Sequence, residues 1–205
     1  MTPNEISYSH ILPELVLSGF GILILLIEPV LGDRASRKPL GYLALLGAVG
    51  AGAATLIQAQ HPGYAFWRMV QVDAFSTFFH LLILAIVAVI ILASLEYVEA
   101  ETNHAGEYYA LILFGAVGMT LMSSAVELVL VFIALEISSI ATYVLAGIRR
   151  KSAPGAESAL KYFLLGSFAT AFFLFGVAMM YGATGSTNIS DIAVVLGSGN
   201  IPPLA

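Results

Sequence analysis

The chain has 205 residues, of which 59% are hydrophobic and 10% charged, and its mean hydropathy is +0.93. A soluble domain is about 45–50% apolar and about 25% charged, so a water-soluble globule is excluded and an integral membrane protein is indicated. The net charge of −5 rests on few groups and forms no basic patch with interleaved aromatics, which excludes nucleic acid as the expected partner.

Further chemistry falls away on residue type. There is no cysteine, hence no disulfide framework, no thiolate metal site and no cysteine-ligated iron–sulfur cluster. His10, His61, His80 and His104 are scattered and form no ligand pair at helical spacing, so no metal site is expected. The N-terminal run carries Glu5 and no positive region, and does not read as a cleaved signal peptide.

Taken in order, the apolar runs predict about six membrane spans in one membrane domain covering 1–205. Span one covers about 11–31, with Pro13 and Glu14 near its start and Glu28-Pro29 near its end. A basic loop with Arg34, Arg37 and Lys38 follows. Span two, about 40–58, is rich in Gly47, Gly50, Gly52 and alanines, which lets helix backbones approach closely. The polar, aromatic loop after it holds Tyr64, Phe66 and Trp67, residues suited to a membrane interface. Span three, about 75–97, contains His80, and an acidic loop leads to span four, about 108–123. Ser124–Glu127 turn the chain into span five, about 127–148, which ends in Arg149, Arg150 and Lys151. Span six covers about 157–181. The Gly- and Ser-rich segment 182–205 reads as an external loop in which Ser190 would cap a short helix from Asp191 to Leu196, stopped by Gly197. The fold expected is therefore all-α, a polytopic transmembrane helix bundle.

Lysine and arginine in the loops set the expected orientation. With the N-terminus outside, the inner loops hold Arg34, Arg37, Lys38, Arg149, Arg150 and Lys151, against Arg68 alone outside. Six spans then put the C-terminus outside as well.

The sharpest chemical signal is Glu136. It lies near the middle of span five, on the order of 12–15 Å from either end at 1.5 Å per residue, too deep for its carboxylate to reach water past the lipid. A charge there costs about 2.5–3.5 kcal/mol on insertion scales. A carboxyl that burial keeps neutral, and that a nearby cation would ionise, can load and release a proton. The bland alternative is a neutral glutamate hydrogen-bonded to a serine of another helix. Lys161 sits about one turn into span six, four residues after Glu157, the spacing that favours an ion pair. It either points into the bundle or snorkels to the interface. Glu28 reads as interfacial, and Tyr108 and Tyr109 as interfacial belt residues; His80 could carry protons, but a lone histidine in a helix is more often a hydrogen-bonded packing residue.

Spans four to six are less generic. The run Glu107-Tyr-Tyr-Ala-Leu-Ile-Leu-Phe, then Gly118-Met-Thr-Leu-Met, Leu135-Glu136 and Tyr143-Val-Leu-Ala-Gly-Ile-Arg-Arg150 resembles the subunit N family of bacterial NADH:quinone oxidoreductase. So do Glu157-Ser-Ala-Leu-Lys-Tyr-Phe-Leu-Leu-Gly166 and Tyr181-Gly-Ala-Thr-Gly-Ser-Thr187. These are antiporter-like membrane subunits of respiratory complex I, related to Mrp-type cation/proton antiporters.

The resemblance implies proton translocation in the bacterial inner membrane, with Glu136 matching the family's mid-membrane glutamate, and Lys161 and Glu157 matching the lysine and glutamate that open the sixth helix. It implies other complex I membrane subunits and the lipid bilayer as partners. It implies no cofactor in this chain, with NADH, FMN, iron–sulfur clusters and quinone handled elsewhere in the complex. The alternatives are a subunit of an antiporter or membrane hydrogenase of the same kind, and a non-transporting membrane scaffold. Family members have about fourteen helices, so the chain is expected to be an N-terminal fragment, with Glu136 neutral in the absence of its lysine partner.

Overall fold

The computed structural model describes residues 7–31, 36–101, 104–149 and 151–198. Six helices are long and apolar enough to cross a membrane, as the hydropathy pattern predicts. They are α1 (Leu12–Ile27), α2 (Lys38–Gln58), α3 (Ala74–Glu101), α4 (Ala105–Ser124), α5 (Leu128–Ala146) and α6 (Ala153–Thr184). A 3-10 turn, Tyr8–Ile11, leads into α1, and a second, Glu28–Val30, ends it at Pro29. A short helix α7, Ile189–Ser198, closes the described chain.

Helix starts follow from local chemistry. Proline in the first turn of α1, α2 and α6 gives up an N–H that has no helical partner there anyway. Asp73 and Ser76 cap α3 reciprocally, Ser76 N donating to Asp73 Oδ1 (2.8 Å) and Asp73 N to Ser76 Oγ (3.0 Å). The Glu127 carboxylate accepts from Leu130 N (2.9 Å) at the start of α5, and Ser152 Oγ from Gly155 N (3.2 Å) at the start of α6. Helix α6 outruns the apolar span at both ends because Ser152 caps it early and Gly185, at φ 71°, stops it late.

The core lies among α1–α4, where Leu17, Ile24, Leu40, Leu84, Ile91 and Leu113 are fully or almost fully buried. Small residues bring these helices together, and α4 is the most enclosed of the six. On its far side α4 meets α5 at Gly118, where a Cβ would come within 2.6 Å of both the Ala134 carbonyl and the Ser138 nitrogen. Helix α6 packs on α5 through rings, Phe132 stacked on Phe173 and Tyr143 edge-on to Tyr162 and Phe163. Its remaining faces are open.

The segment read as a polar aromatic loop is an antiparallel hairpin, β1 (Gly63–Ala65) with β2 (Val70–Val72). Phe66, Trp67 and Arg68 at its tip all have positive φ (53°, 54° and 63°), a strained conformation for residues with side chains. Outside contacts hold it: Asn188 Nδ2 donates to the Arg68 carbonyl (3.1 Å), and Arg68 pairs with Asp191 on α7 (3.2 Å). The linker between α4 and α5 joins the same layer, with Val126 N donating to Met69 O, Ile189 N to Val126 O, and Leu128 N to Thr187 O. Helix α7 begins at Ile189, two residues before the sequence reading, because the Asn188 side chain rather than Ser190 accepts from the first free N–H groups. It also runs through Gly197 to Ser198.

Replacing Gly118 by Leu puts side-chain atoms where α5 backbone already sits. The expected result is destabilisation by about 1–3 kcal/mol, read as a lowered unfolding midpoint of the detergent-solubilised protein.

Candidate functional site

Glu136 lies eight residues into α5, about 12 Å along its axis from Leu128. Its Oε1 is shut off from solvent and has no hydrogen-bond partner among the described residues. Ala134 and Ser138, two residues to either side, face α4 at Gly118. At 100° per residue Glu136 therefore sits on the opposite face of α5. Phe132, four residues before it, and Tyr143, seven after, share that stripe, and both stack on α6. The Glu136 carboxyl is thus placed on the α5 face that meets α6, one turn along from a pair of stacked rings.

The ring contacts also fix the antiparallel register of α5 and α6. Phe132 stands opposite Phe173 and Tyr143 opposite Phe163, which sets Glu136 opposite Ala169 and its small neighbours. Lys161 lies eight residues from Ala169, about 12 Å along the axis from the level of Glu136. That exceeds the reach of a lysine side chain. Lys161 Nζ instead donates to Glu157 Oε1 at 2.5 Å, with both side chains about two-thirds exposed. So the structure brings Lys161 and Glu157 together, as their spacing predicts, and does not bring either to Glu136.

Glu28 is more than an interfacial carboxylate. Its Oε1 accepts from Gly106 N (2.7 Å) in the first turn of α4, tying the end of α1 to the start of α4. The residue that sequence reasoning passed over is Glu14. It is buried in the first turn of α1, and neither carboxyl oxygen has a hydrogen-bond partner among the described residues. The basic group beside it is His80 on α3, whose Nε2 stands 3.6 Å from Glu14 Oε1 and 2.9 Å from the Thr120 carbonyl of α4. The available signal was a carboxylate and a histidine each placed one to two turns inside an apolar span.

The family model for NADH:quinone oxidoreductase/Mrp antiporter membrane segments matches residues 125–201, which include Glu136, Glu157 and Lys161. NADH-quinone oxidoreductase subunit N 2 of Koribacter versatilis is 56% identical over 198 residues, covering 93% of this chain and 40% of that protein. The chain is thus similar over nearly its whole length to part of a subunit N. The F(420)H(2) dehydrogenase subunit N of Methanosarcina mazei is 40% identical over 93% of the chain and 39% of its own length. Among solved structures, a chain of respiratory complex I from Thermus thermophilus with bound aureothin superimposes with a TM-score of 0.71 at 34% identity, over 90% of this chain and 41% of that one. The chain therefore spans about 40% of the length of the curated relatives it matches. Six apolar helices and this similarity point to a multi-pass protein of the bacterial plasma membrane.

The exposure of the Lys161–Glu157 pair sets its worth in this fold. An exposed i, i+4 pair contributes about 0.3–0.5 kcal/mol. Lys161→Ala is expected to shift the unfolding free energy of the chain by no more than that, measured by thermal or denaturant unfolding in detergent.

Proposed function

We propose that this chain is part of a proton-translocating membrane subunit of an NADH:quinone oxidoreductase, in which buried carboxyl groups carry protons while redox chemistry proceeds in other subunits. The observation that carries the reading is Glu136, an unpartnered carboxyl oxygen at mid-depth in a spanning helix, inside the segment the family model matches. An ionisable group at that depth is expensive and packing alone has no use for it. A carboxyl without a fixed partner is free to gain or lose a proton when a cation or water reaches it.

Lys161 and Glu157 enter the proposal as the charged pair at the end of α6 remote from α7. In this arrangement they meet the aqueous boundary, where they would pass protons toward or away from the bundle or respond to a neighbouring subunit. The loop charges favour an external N-terminus, which puts Lys161 at the cytoplasmic side and the hairpin–α7 layer outside. The open faces of α6 are where further helices of the same subunit, another membrane subunit or lipid would pack.

Donor chemistry belongs elsewhere. Relatives of this chain include subunits named for NADH and for F(420)H(2), so the same membrane module serves machines with different electron donors. With no cysteine, the chain offers no thiolate for an iron–sulfur cluster. Flavin, clusters and quinone are assigned to partner subunits.

The test is Glu136→Gln in the full-length subunit within its complex, reconstituted in vesicles. Gln keeps the shape and removes the titration. Proton translocation is expected to fall at least about tenfold, about 1.4 kcal/mol in the limiting step, while Glu136→Asp retains part of it. Unchanged translocation in the Gln variant would favour a packing scaffold instead.

A further inference from the structure

We propose that Glu14 and His80 form a second proton-binding site, distinct from Glu136, that holds one exchangeable proton inside the α1–α3–α4 core. The two side chains come from different helices, both are more than nine-tenths buried, and they meet at 3.6 Å. The site is defined by what its atoms lack. Glu14 Oε1, Glu14 Oε2 and His80 Nδ1 are all sealed from solvent with no hydrogen-bond partner among the described residues. Buried polar atoms in native proteins nearly always have partners, and three orphans in one cluster point to a ligand that supplies them. A proton, with a water to bridge the atoms, is the ligand that fits.

The proton inventory follows from the geometry. A backbone carbonyl has no proton to give, so the 2.9 Å contact with Thr120 O fixes a hydrogen on His80 Nε2. The Thr120 hydroxyl shares its one hydrogen between the carbonyls of Ala116 (3.1 Å) and Val117 (3.2 Å) of its own helix, so toward Glu14 it can act only as an acceptor of the carboxyl proton. Only the carboxyl of Glu14 and Nδ1 of His80 remain to hold a mobile proton. With that proton on the carboxyl, both groups are neutral. With it on Nδ1, they form a buried ion pair of the same net charge. Releasing it to solvent leaves one uncompensated carboxylate, and taking up another gives an imidazolium beside a carboxylic acid. The pair thus stores one proton at net neutrality.

Among the described residues, the ion pair that Glu14 and His80 make is with one another. On the turn before α1, His10 is buried, with Nδ1 bonded to Ser7 Oγ (2.9 Å), and its carbonyl accepts from Gln58 Nε2 of α2 (2.6 Å). Asp73, seven residues before His80 at the start of α3, is held in the helix cap with Ser76. Thr120 is the group α4 presents, and Thr55 of α2 is turned to its own Ala51 carbonyl (2.9 Å). None of these described groups is an ion pair partner of Glu14 or His80.

Infrared difference spectroscopy of the full-length subunit in its complex, taken between acidic and alkaline buffer in H2O and in D2O, tests the site directly. A protonated-carboxyl C=O band that exchanges with pH is expected, lost in Glu14→Gln and retained in Glu136→Gln. In His80→Gln, which keeps a side-chain N–H for the Thr120 carbonyl but cannot take a second proton, that band should move. The His80 variant carries the test alone if Glu14→Gln fails to assemble. A carboxyl spectrum unmoved by the His80 change, or a Glu14→Gln spectrum identical to the parent, would overturn the proposal. The readout does not depend on translocation, so loss of the Glu136 reading would leave this result standing, and the reverse.

Discussion

A helix in hydrocarbon has no water to turn to, and every polar group it carries must find a partner within the protein. Nearly all of this chain obeys that demand through its own backbone. Ser and Thr on the spans return their hydroxyls to carbonyls three or four residues back, as Thr55, Ser94, Thr120, Thr142 and Thr170 do. Glu28 and Glu127 spend their carboxylates on the first N–H groups of α4 and α5. Against that background Glu14, His80, Tyr109 and Glu136 stand out within the spans, because each keeps a buried polar atom without a partner among the described residues.

What holds these groups at depth is a chain of close approaches centred on α4. Its small residues admit α5 at Gly118, and Ala141 of α5 comes to 3.7 Å of where a Gly115 Cβ would sit. The hairpin, the α4–α5 linker and the stretch before α7 are hydrogen-bonded to one another across a single layer. That layer fixes where α5 begins, and so the depth of Glu136. The strain of three positive φ angles at the hairpin tip is tolerated because Asn188 and Asp191 both grip Arg68.

The sequence made six spans and Glu136 legible for the same reason: a long apolar run is a strong signal, and a lone carboxylate in it is conspicuous. It was silent where the deciding contact is long-range. Nothing local says that Glu14 and His80, 66 positions apart, share a Thr120 neighbour. Glu14 sits beside a proline at the start of a span, where an interfacial carboxylate is commonplace. The hairpin strands are three residues each, too short for alternation to declare itself. The lysine–glutamate spacing at Lys161 announced the pair but not its exposure, which depends on what packs against α6.

The two acidic sites are near one another in depth and remote in the plane of the bundle. Gly118 and Thr120 are two residues apart on α4, which is about 3 Å of rise and a rotation of about 200°. Gly118 faces α5 while the Thr120 carbonyl serves His80 on the other side. On α5 the residues that touch α4 are again opposite Glu136. A proton at Glu14 and one at Glu136 are therefore separated by at least the spacing of two packed helices, about 8–10 Å, with apolar side chains between. That gap is well beyond a single hydrogen bond of about 3 Å. Under the proposed reading each carboxyl has its own neighbourhood, Glu136 on the α5 face toward α6 and Glu14 among α1, α3 and α4. At that spacing two charges would still feel one another, by about 1.7 kcal/mol at 10 Å and an effective dielectric of 20, so the two carboxyls are separate in contact but coupled in charge.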